Sequence, residues 1–161
     1  MALDATVGGA SSNSYVDRET ADAYFADRLY ASAWDDADDT DKDKALIMAT
    51  ARLEQESYAG YRVTTTQALK FPRSGLYLDG VALSQDAIPS AVIAATCEYA
   101  LEFIASDATA ESTLGDYKSI KVGPIAIELN QPIGSGDIPS DVMRLLRDLR
   151  IGTSGAAIIR A

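Results

Sequence analysis

The chain has 161 residues, of which 24 are acidic, 14 are basic and none is histidine, giving a formal net charge of -10 at pH 7. A hydrophobic share of 47% and a charged share of 24% are typical of a single globular domain. No apolar run approaches the roughly 20 residues of a membrane-spanning helix, the commonest general base is missing, and the single cysteine excludes an internal disulfide. We therefore expect neither membrane insertion nor catalysis, and no cofactor.

Helical periodicity predicts four helices, over about 18–29, 40–58, 89–105 and 139–149. The first follows Asp17, a residue type that caps helices. The third is apolar almost all round, so we expect it to lie at the centre of the fold or to be shared with a neighbouring subunit. Cys97 falls in this helix, where a small buried hydrophobe is expected rather than a reactive thiol.

Turn signals and alternation predict a few short strands. Asp79-Gly80 between apolar residues is typical of a two-residue hairpin turn, and Gly60 is expected to end the second helix. A change of alternation at Gly123-Pro124 predicts a hairpin with strands over about 117–122 and 125–129. The fold class is therefore mainly α: one domain over 1–161, a compact bundle of about four helices with a small β-hairpin ribbon. Its termini are expected to be flexible, with a loose segment at 1–13 and an extended arm at 150–161.

Several short motifs follow one another along the chain. An apolar residue leads into Phe71-Pro72-Arg73, the Asp79-Gly80 turn follows, and Ile88-Pro89 opens the third helix; Ser14-Tyr15-Val16 precedes these motifs and Lys118-Ser119-Ile120-Lys121-Val122-Gly123 follows them. In this order the chain resembles the head-tail connector (adaptor, or head-completion) proteins of tailed bacteriophages, a DnaT-like connector family.

The resemblance implies a structural virion protein that forms a ring of about twelve subunits on the portal, with a repeated heterologous interface. Its partners would be the portal, the next neck or tail protein and further copies of itself. Double-stranded DNA would pass through without specific binding, and the protein would be assembled in the host cytoplasm into the neck of the virion.

Within that interpretation three groups of residues are candidates for the contacts. Arg73 could instead pair with local carboxylates, and the aspartates could instead solvate a connection and favour the start of the second helix through its dipole. The aspartate cluster lacks the glycine and closing glutamate of an EF-hand loop, so we expect no metal site. The candidates are Ile120, Val122, Ile125, Ile127 and Arg73 between subunits, Arg147, Arg150, Ile158, Ile159 and Arg160 for portal docking, and Asp35, Asp36, Asp38 and Asp39 for lining the channel.

Alternative functions stay open. Part of the connector group is described as similar to a single-stranded-DNA-binding primosome protein, and such an accessory protein would bind with a steep salt dependence. The acidic balance disfavours that role, as does the spacing of the aromatic residues, which predicts core packing rather than a stacking platform. Another neck or tail-completion protein, or a small enzyme with an added cofactor, are further alternatives. The aromatic residues in question are Tyr24, Phe25, Tyr58, Tyr61, Tyr99 and Phe103.

Overall fold

The computed structural model describes residues 2–78, 80–105, 119–122, 125–128 and 138–151. Over these residues the chain is mainly helical, as predicted, with five helices rather than four and with a third two-stranded antiparallel sheet, between residues 61–62 and 73–74, besides the two predicted hairpins. The elements in chain order are α1 (Arg18–Ala26), α2 (Ser32–Asp36), α3 (Asp39–Leu53), β1 (Tyr61–Arg62), β2 (Arg73–Ser74), β3 (Tyr77–Leu78), β4 (Val81–Ala82), α4 (Ser90–Ala105), β5 (Ser119–Val122), β6 (Ile125–Glu128) and α5 (Ser140–Leu145).

Helix α4 is the centre of the fold, as its nearly all-apolar sequence predicts. It packs most extensively on α3 and also contacts α1, α2 and α5. Alanines at the α3–α4 interface, including Ala49 and Ala95, are fully buried and let the two helices approach closely. Cys97 is fully buried as well. None of the helices in the described part of the chain has the length and apolar character that a membrane span requires.

The first predicted helix ends three residues early, because its last turn is replaced by a corner. The guanidinium of Arg28 forms two hydrogen bonds with the Glu98 carboxylate, at 2.6 and 2.7 Å, and also donates to the carbonyl oxygens of Leu29 and Tyr30. Tyr30 then adopts a left-handed backbone with φ of 62°. The corner leads into α2, which the sequence did not predict and which buries Trp34.

Helix α3 covers most of the second predicted helix but ends at Leu53 instead of about residue 58. Asp38 caps its start by accepting from the Asp41 amide at 2.8 Å. Past its end, the Tyr58 hydroxyl donates to the Leu53 carbonyl oxygen at 2.9 Å, which fixes the chain as it leaves the helix. Gly60 has the left-handed backbone expected of it, with φ of 70°, but it leads into β1 and does not end the helix.

The remaining elements agree with the sequence to within a few residues. The hairpin of β3 and β4 forms around the predicted turn, and β5 pairs with β6 in register from Ser119↔Glu128 to Val122↔Ile125. Helix α5 is shorter than predicted, although Leu146 and Leu149 beyond its end are still buried. The N-terminal segment before α1 forms hydrogen bonds within itself. For example, the backbone amides of Asn13 and Ser14 both donate to the carbonyl oxygen of Asp4.

Candidate functional site

The stretch from residue 57 to residue 78 differs in charge from the rest of the chain. It contains Arg62, Lys70 and Arg73 and no acidic residue, whereas the whole chain carries a net charge of -10. It also contains β1, β2 and β3. An anionic ligand would meet less electrostatic repulsion here than over the acidic helices α2 and α3.

Large apolar and aromatic side chains are exposed on these strands. Tyr61 on β1 is 78% exposed and Tyr77 on β3 is 65% exposed, so most of each ring is in solvent. Val81 on β4 is 67% exposed and Arg62 is exposed beside Tyr61. We call this set the ribbon surface, defined by Tyr61, Arg62, Val63, Tyr77, Leu78 and Val81.

Strand pairing keeps the two tyrosines of the ribbon surface close. Tyr61 pairs with Ser74, and Ser74 is three residues before Tyr77. Paired Cα atoms lie about 5 Å apart and an extended chain spans at most about 3.6 Å per residue, so the two Cα atoms are no more than roughly 16 Å apart.

Arg73 fixes the backbone that leads into β1. Its guanidinium donates to the carbonyl oxygens of Ala59 at 2.6 Å, Gly60 at 2.6 Å, Tyr58 at 3.1 Å and Lys70 at 3.3 Å. Burial is the main cause that lowers the pKa of Arg73, and the positive charge of Arg62 lowers it further. The side chain of Arg73 thus binds backbone carbonyls of its own chain and not a local carboxylate, while its contact with another subunit stays a prediction.

Gly60 allows β1 and β2 to approach each other closely. A Cβ atom at this position would lie 2.2 Å from the carbonyl oxygen of Ser74, and the φ of 70° further disfavours any other residue. The close approach of β1 and β2 thus depends on the absence of a side chain.

Among the basic side chains that the structure describes, Arg62 and Arg52 have neither an ion pair nor a hydrogen bond. Arg62 is the one that lies on the ribbon surface, so its guanidinium is available to a phosphate. The other basic side chains that the structure describes already bind carboxylates or carbonyl oxygens of the chain. They are Arg18, Arg28, Lys42, Lys44, Lys70, Arg73, Arg144, Arg147 and Arg150.

Solvent-facing aromatic rings near a free cation can hold an unpaired base and its phosphate. Successive bases stack on aromatic faces whatever their sequence, while arginine contacts the backbone. The ribbon surface offers both groups.

The aspartate cluster caps α3 and links it to α1. Asp35 and Asp36 are exposed on α2, Asp38 caps α3, and Asp39 forms an ion pair with Arg18 at 3.4 Å. The cluster thus favours the start of α3, which was the alternative role given to it. In the part of the chain that the structure describes, no three acidic or cysteine side chains converge on a point where a metal ion could sit.

Of the residues predicted for portal docking, the structure describes Arg147 and Arg150. Arg150 binds Glu56 at 2.5 Å and pairs with Tyr58 through a β-bridge, whereas Arg147 pairs with Asp148 at the surface. Ile158, Ile159 and Arg160 lie outside the described residues. Ile120, Val122, Ile125 and Ile127 lie in β5 and β6, and the surroundings of their side chains are outside the description.

The aromatic residues divide in a way that the sequence interpretation did not foresee. Phe25, Tyr58 and Tyr99 are buried, and Tyr24 and Phe103 pack against the core, as predicted. Tyr61 is the exception, since it was assigned to the core and lies in solvent. Tyr77 was not considered. The acid-free stretch around both residues was the signal in the sequence that could have identified them.

The whole chain, residues 1–161, matches one protein family, described as "Putative DnaT-like ssDNA binding protein". No curated protein and no solved structure matches the chain. The family match overturns the head-tail connector interpretation, and with it the portal and tail partners and the expectation that DNA passes without being bound.

The motifs that carried the connector resemblance have structural roles in this chain. Phe71 is buried, with its ring 4.8 Å from that of Tyr58 and 5.8 Å from that of Tyr15. Arg73 binds backbone carbonyls, and Pro89 precedes the first residue of α4. Residues that shape a loop or a helix start report on the fold and carry little information about partners.

Proposed function

Because the chain belongs to the family of DnaT-like single-stranded-DNA-binding proteins, we propose that it binds single-stranded DNA through the ribbon surface. The observation that carries the proposal is the unpaired, exposed guanidinium of Arg62 next to Tyr61 on β1, with Tyr61 and Tyr77 both exposed in a stretch, residues 57–78, that has no acidic residue. These are the groups that bind single strands in proteins that do so without sequence preference.

The net charge of -10 limits where such binding takes place. A nucleic acid is repelled by the protein as a whole, so the contact must be local and must lie away from the aspartates of α2 and α3. The ribbon surface meets this condition because its only charged member is Arg62. The acidic helices would then keep the bound strand from spreading over the rest of the protein.

We propose binding rather than catalysis as the activity. The chain has no histidine, and burial raises the pKa of the Cys97 thiol to about 12, which removes it as a nucleophile at neutral pH. We assign no catalytic residue and no cofactor to the protein.

A titration tests the proposal. Fluorescence anisotropy with a labelled oligothymidylate of about 20 nucleotides, longer than a typical single-strand site, should show saturable binding at roughly 50 mM salt. Replacing Arg62→Ala should weaken binding about fivefold or more, because a charge-assisted contact with a phosphate is lost. Arg144→Ala removes an exposed guanidinium on α5 that is paired with Asp141, and should leave binding within about twofold.

Two results would count against the proposal. The first is the absence of saturable binding by the intact protein at roughly 50 mM salt. The second is an equal weakening of binding by Arg62→Ala and Arg144→Ala, which would mean that the contact is general and does not involve the ribbon surface.

A further inference from the structure

We infer that stacking of bases on Tyr61 and Tyr77, and not neutralisation of phosphates, provides most of the affinity, so that the ligand of the ribbon surface is a short run of unpaired bases. This rests on the proposed function and specifies its ligand. It also departs from the sequence expectation that a single-strand binder of this kind would show a steep salt dependence.

The number of free cations limits the phosphate contribution. Lys70 donates to the carbonyl oxygen of Glu56 at 2.7 Å and Arg73 is held by four carbonyls, which leaves Arg62 as the free guanidinium on the ribbon surface. For single strands the logarithm of the binding constant falls with the logarithm of salt concentration with a slope of about -0.7 per neutralised phosphate. One or two contacts therefore predict a slope of about -1.

The two rings can supply what the charges do not. Tyr61 and Tyr77 are 78% and 65% exposed, so a base can cover a ring without the core having to open. Each stacked base strengthens binding by roughly fivefold to a hundredfold in comparable sites. Val63, two residues after Tyr61 and 37% exposed, adds to the apolar area that a base or sugar can cover.

The same geometry sets the kind and length of the ligand. Bases in a duplex are stacked on each other, so their faces are not available to the tyrosines. The Cα atoms of the two tyrosines are no more than roughly 16 Å apart, and at about 3.4 Å per stacked nucleotide this distance spans at most about five nucleotides. Affinity should thus rise with oligonucleotide length up to about five nucleotides and afterwards grow only with the number of possible registers.

Arg73 makes this arrangement rigid before the ligand arrives. It ties the backbone at Tyr58, Ala59 and Gly60 to β2, so the strand that carries Tyr61 is fixed. A site held in its bound conformation loses less entropy on binding.

The test uses pairs of variants that distinguish the effect of the aromatic face from the effect of apolar volume. Tyr61→Leu and Tyr77→Leu should each weaken binding of a labelled oligothymidylate about tenfold, whereas Tyr61→Phe and Tyr77→Phe should stay within about threefold, because phenylalanine keeps the aromatic face. Tyr30→Leu is the matched control, since Tyr30 is 93% exposed but lies at the corner between α1 and α2. A duplex with the same number of nucleotides should bind at least about tenfold more weakly than the single strand.

The outcomes separate this inference from the proposed function. Binding to single strands with a slope steeper than about -3, unaffected by either leucine variant, would overturn the stacking inference and leave the proposed function standing. Absence of any binding to single strands would overturn both. Circular dichroism of each variant serves as the folding control, and the exposure of both tyrosines leads us to expect native folding.

Discussion

The guanidinium of Arg73 donates to the carbonyl oxygen of Gly60 at 2.6 Å and thereby joins β2 to the turn that leads into β1. Three further carbonyl oxygens accept from the same side chain, so a single residue fixes the backbone before β1 and the backbone before β2. The exposure of Tyr61 and Arg62 follows from this arrangement.

Replacing Arg73→Ala should lower the free energy of unfolding by about 2–3 kcal/mol, because hydrogen bonds from a charged donor are lost and partly buried carbonyls are left without partners. Arg73→Lys should recover little of this, since an ammonium cannot reproduce the planar fork that reaches several carbonyls. Arg62→Ala, on the paired strand, should cost less than about 0.5 kcal/mol. Urea denaturation measures all three. Equal stabilities for Arg73→Ala and Arg62→Ala would refute the bracing role.

Two glycines with similar backbones predict very different costs of substitution. Gly60→Ala should destabilise the protein by about 3 kcal/mol or more, because the new Cβ would lie 2.2 Å from the Ser74 carbonyl oxygen in addition to the strain at positive φ. Gly80 has φ of 81° and no atom within 4 Å of the added Cβ, so Gly80→Ala should cost only about 1–2 kcal/mol. Thermal unfolding followed by circular dichroism compares them. A smaller loss for Gly60→Ala than for Gly80→Ala would contradict the close approach of β1 and β2.

Stability should fall at alkaline pH because of two buried tyrosines. Burial first, and then the charge of Glu54, raises the pKa of both Tyr15 and Tyr58 above the usual value. The unfolded chain releases these protons near pH 10 while the folded chain keeps them, so each residue should lower the free energy of unfolding by about 1.4 kcal/mol per pH unit above pH 10.

Urea midpoints measured from about pH 7 to pH 11 check this effect. They should begin to fall at about pH 8.5, where the Cys97 thiol ionises only in the unfolded chain, and should fall more steeply beyond about pH 10, where the tyrosines add to the loss. Tyr58→Phe should reduce the steepness of the decrease beyond about pH 10, because one of the two buried tyrosines no longer titrates. A stability that stays constant through pH 11 would show that the two hydroxyls are not protected by the fold.

The thiol of Cys97 should report on unfolding. It is fully buried in α4, and burial raises its pKa to about 12, so very little reactive thiolate is available in the native protein near pH 8. Labelling with an aromatic disulfide should therefore be slow in buffer and fast in urea, and it should accelerate in the destabilised Gly60→Ala variant. Native labelling at the rate of a free thiol would contradict the burial of this residue.

The elements that the sequence predicted well are those with a local cause. Helix α4 follows from a long apolar run that begins after Pro89, and the β3–β4 hairpin follows from its turn residues. The end of α1 was missed because it depends on Glu98, which binds Arg28 from seventy residues away in the sequence. Helix α2 was missed because it has five residues and no side-chain cap.

The candidate site was missed for a similar reason. Aromatic residues near helices are buried more often than not, so Tyr61 was assigned to the core, and only the short pairing of β1 with β2 leaves it in solvent. The function was misread because Phe71 and Arg73 were taken as marks of a connector protein, whereas Phe71 fills the core and Arg73 braces a ribbon. Neither role is visible without the long-range contacts.

Photo-crosslinking tests the central claim most directly, because it identifies the contact residues. An oligothymidylate with iodinated uracil at successive positions is irradiated with the intact protein, and the modified residues are identified by mass spectrometry. Our account predicts crosslinks at Tyr61 and Tyr77 that a competing unlabelled single strand abolishes. Crosslinks confined to other parts of the chain, with both tyrosines unmodified, would contradict the assignment of single-stranded DNA to the ribbon surface.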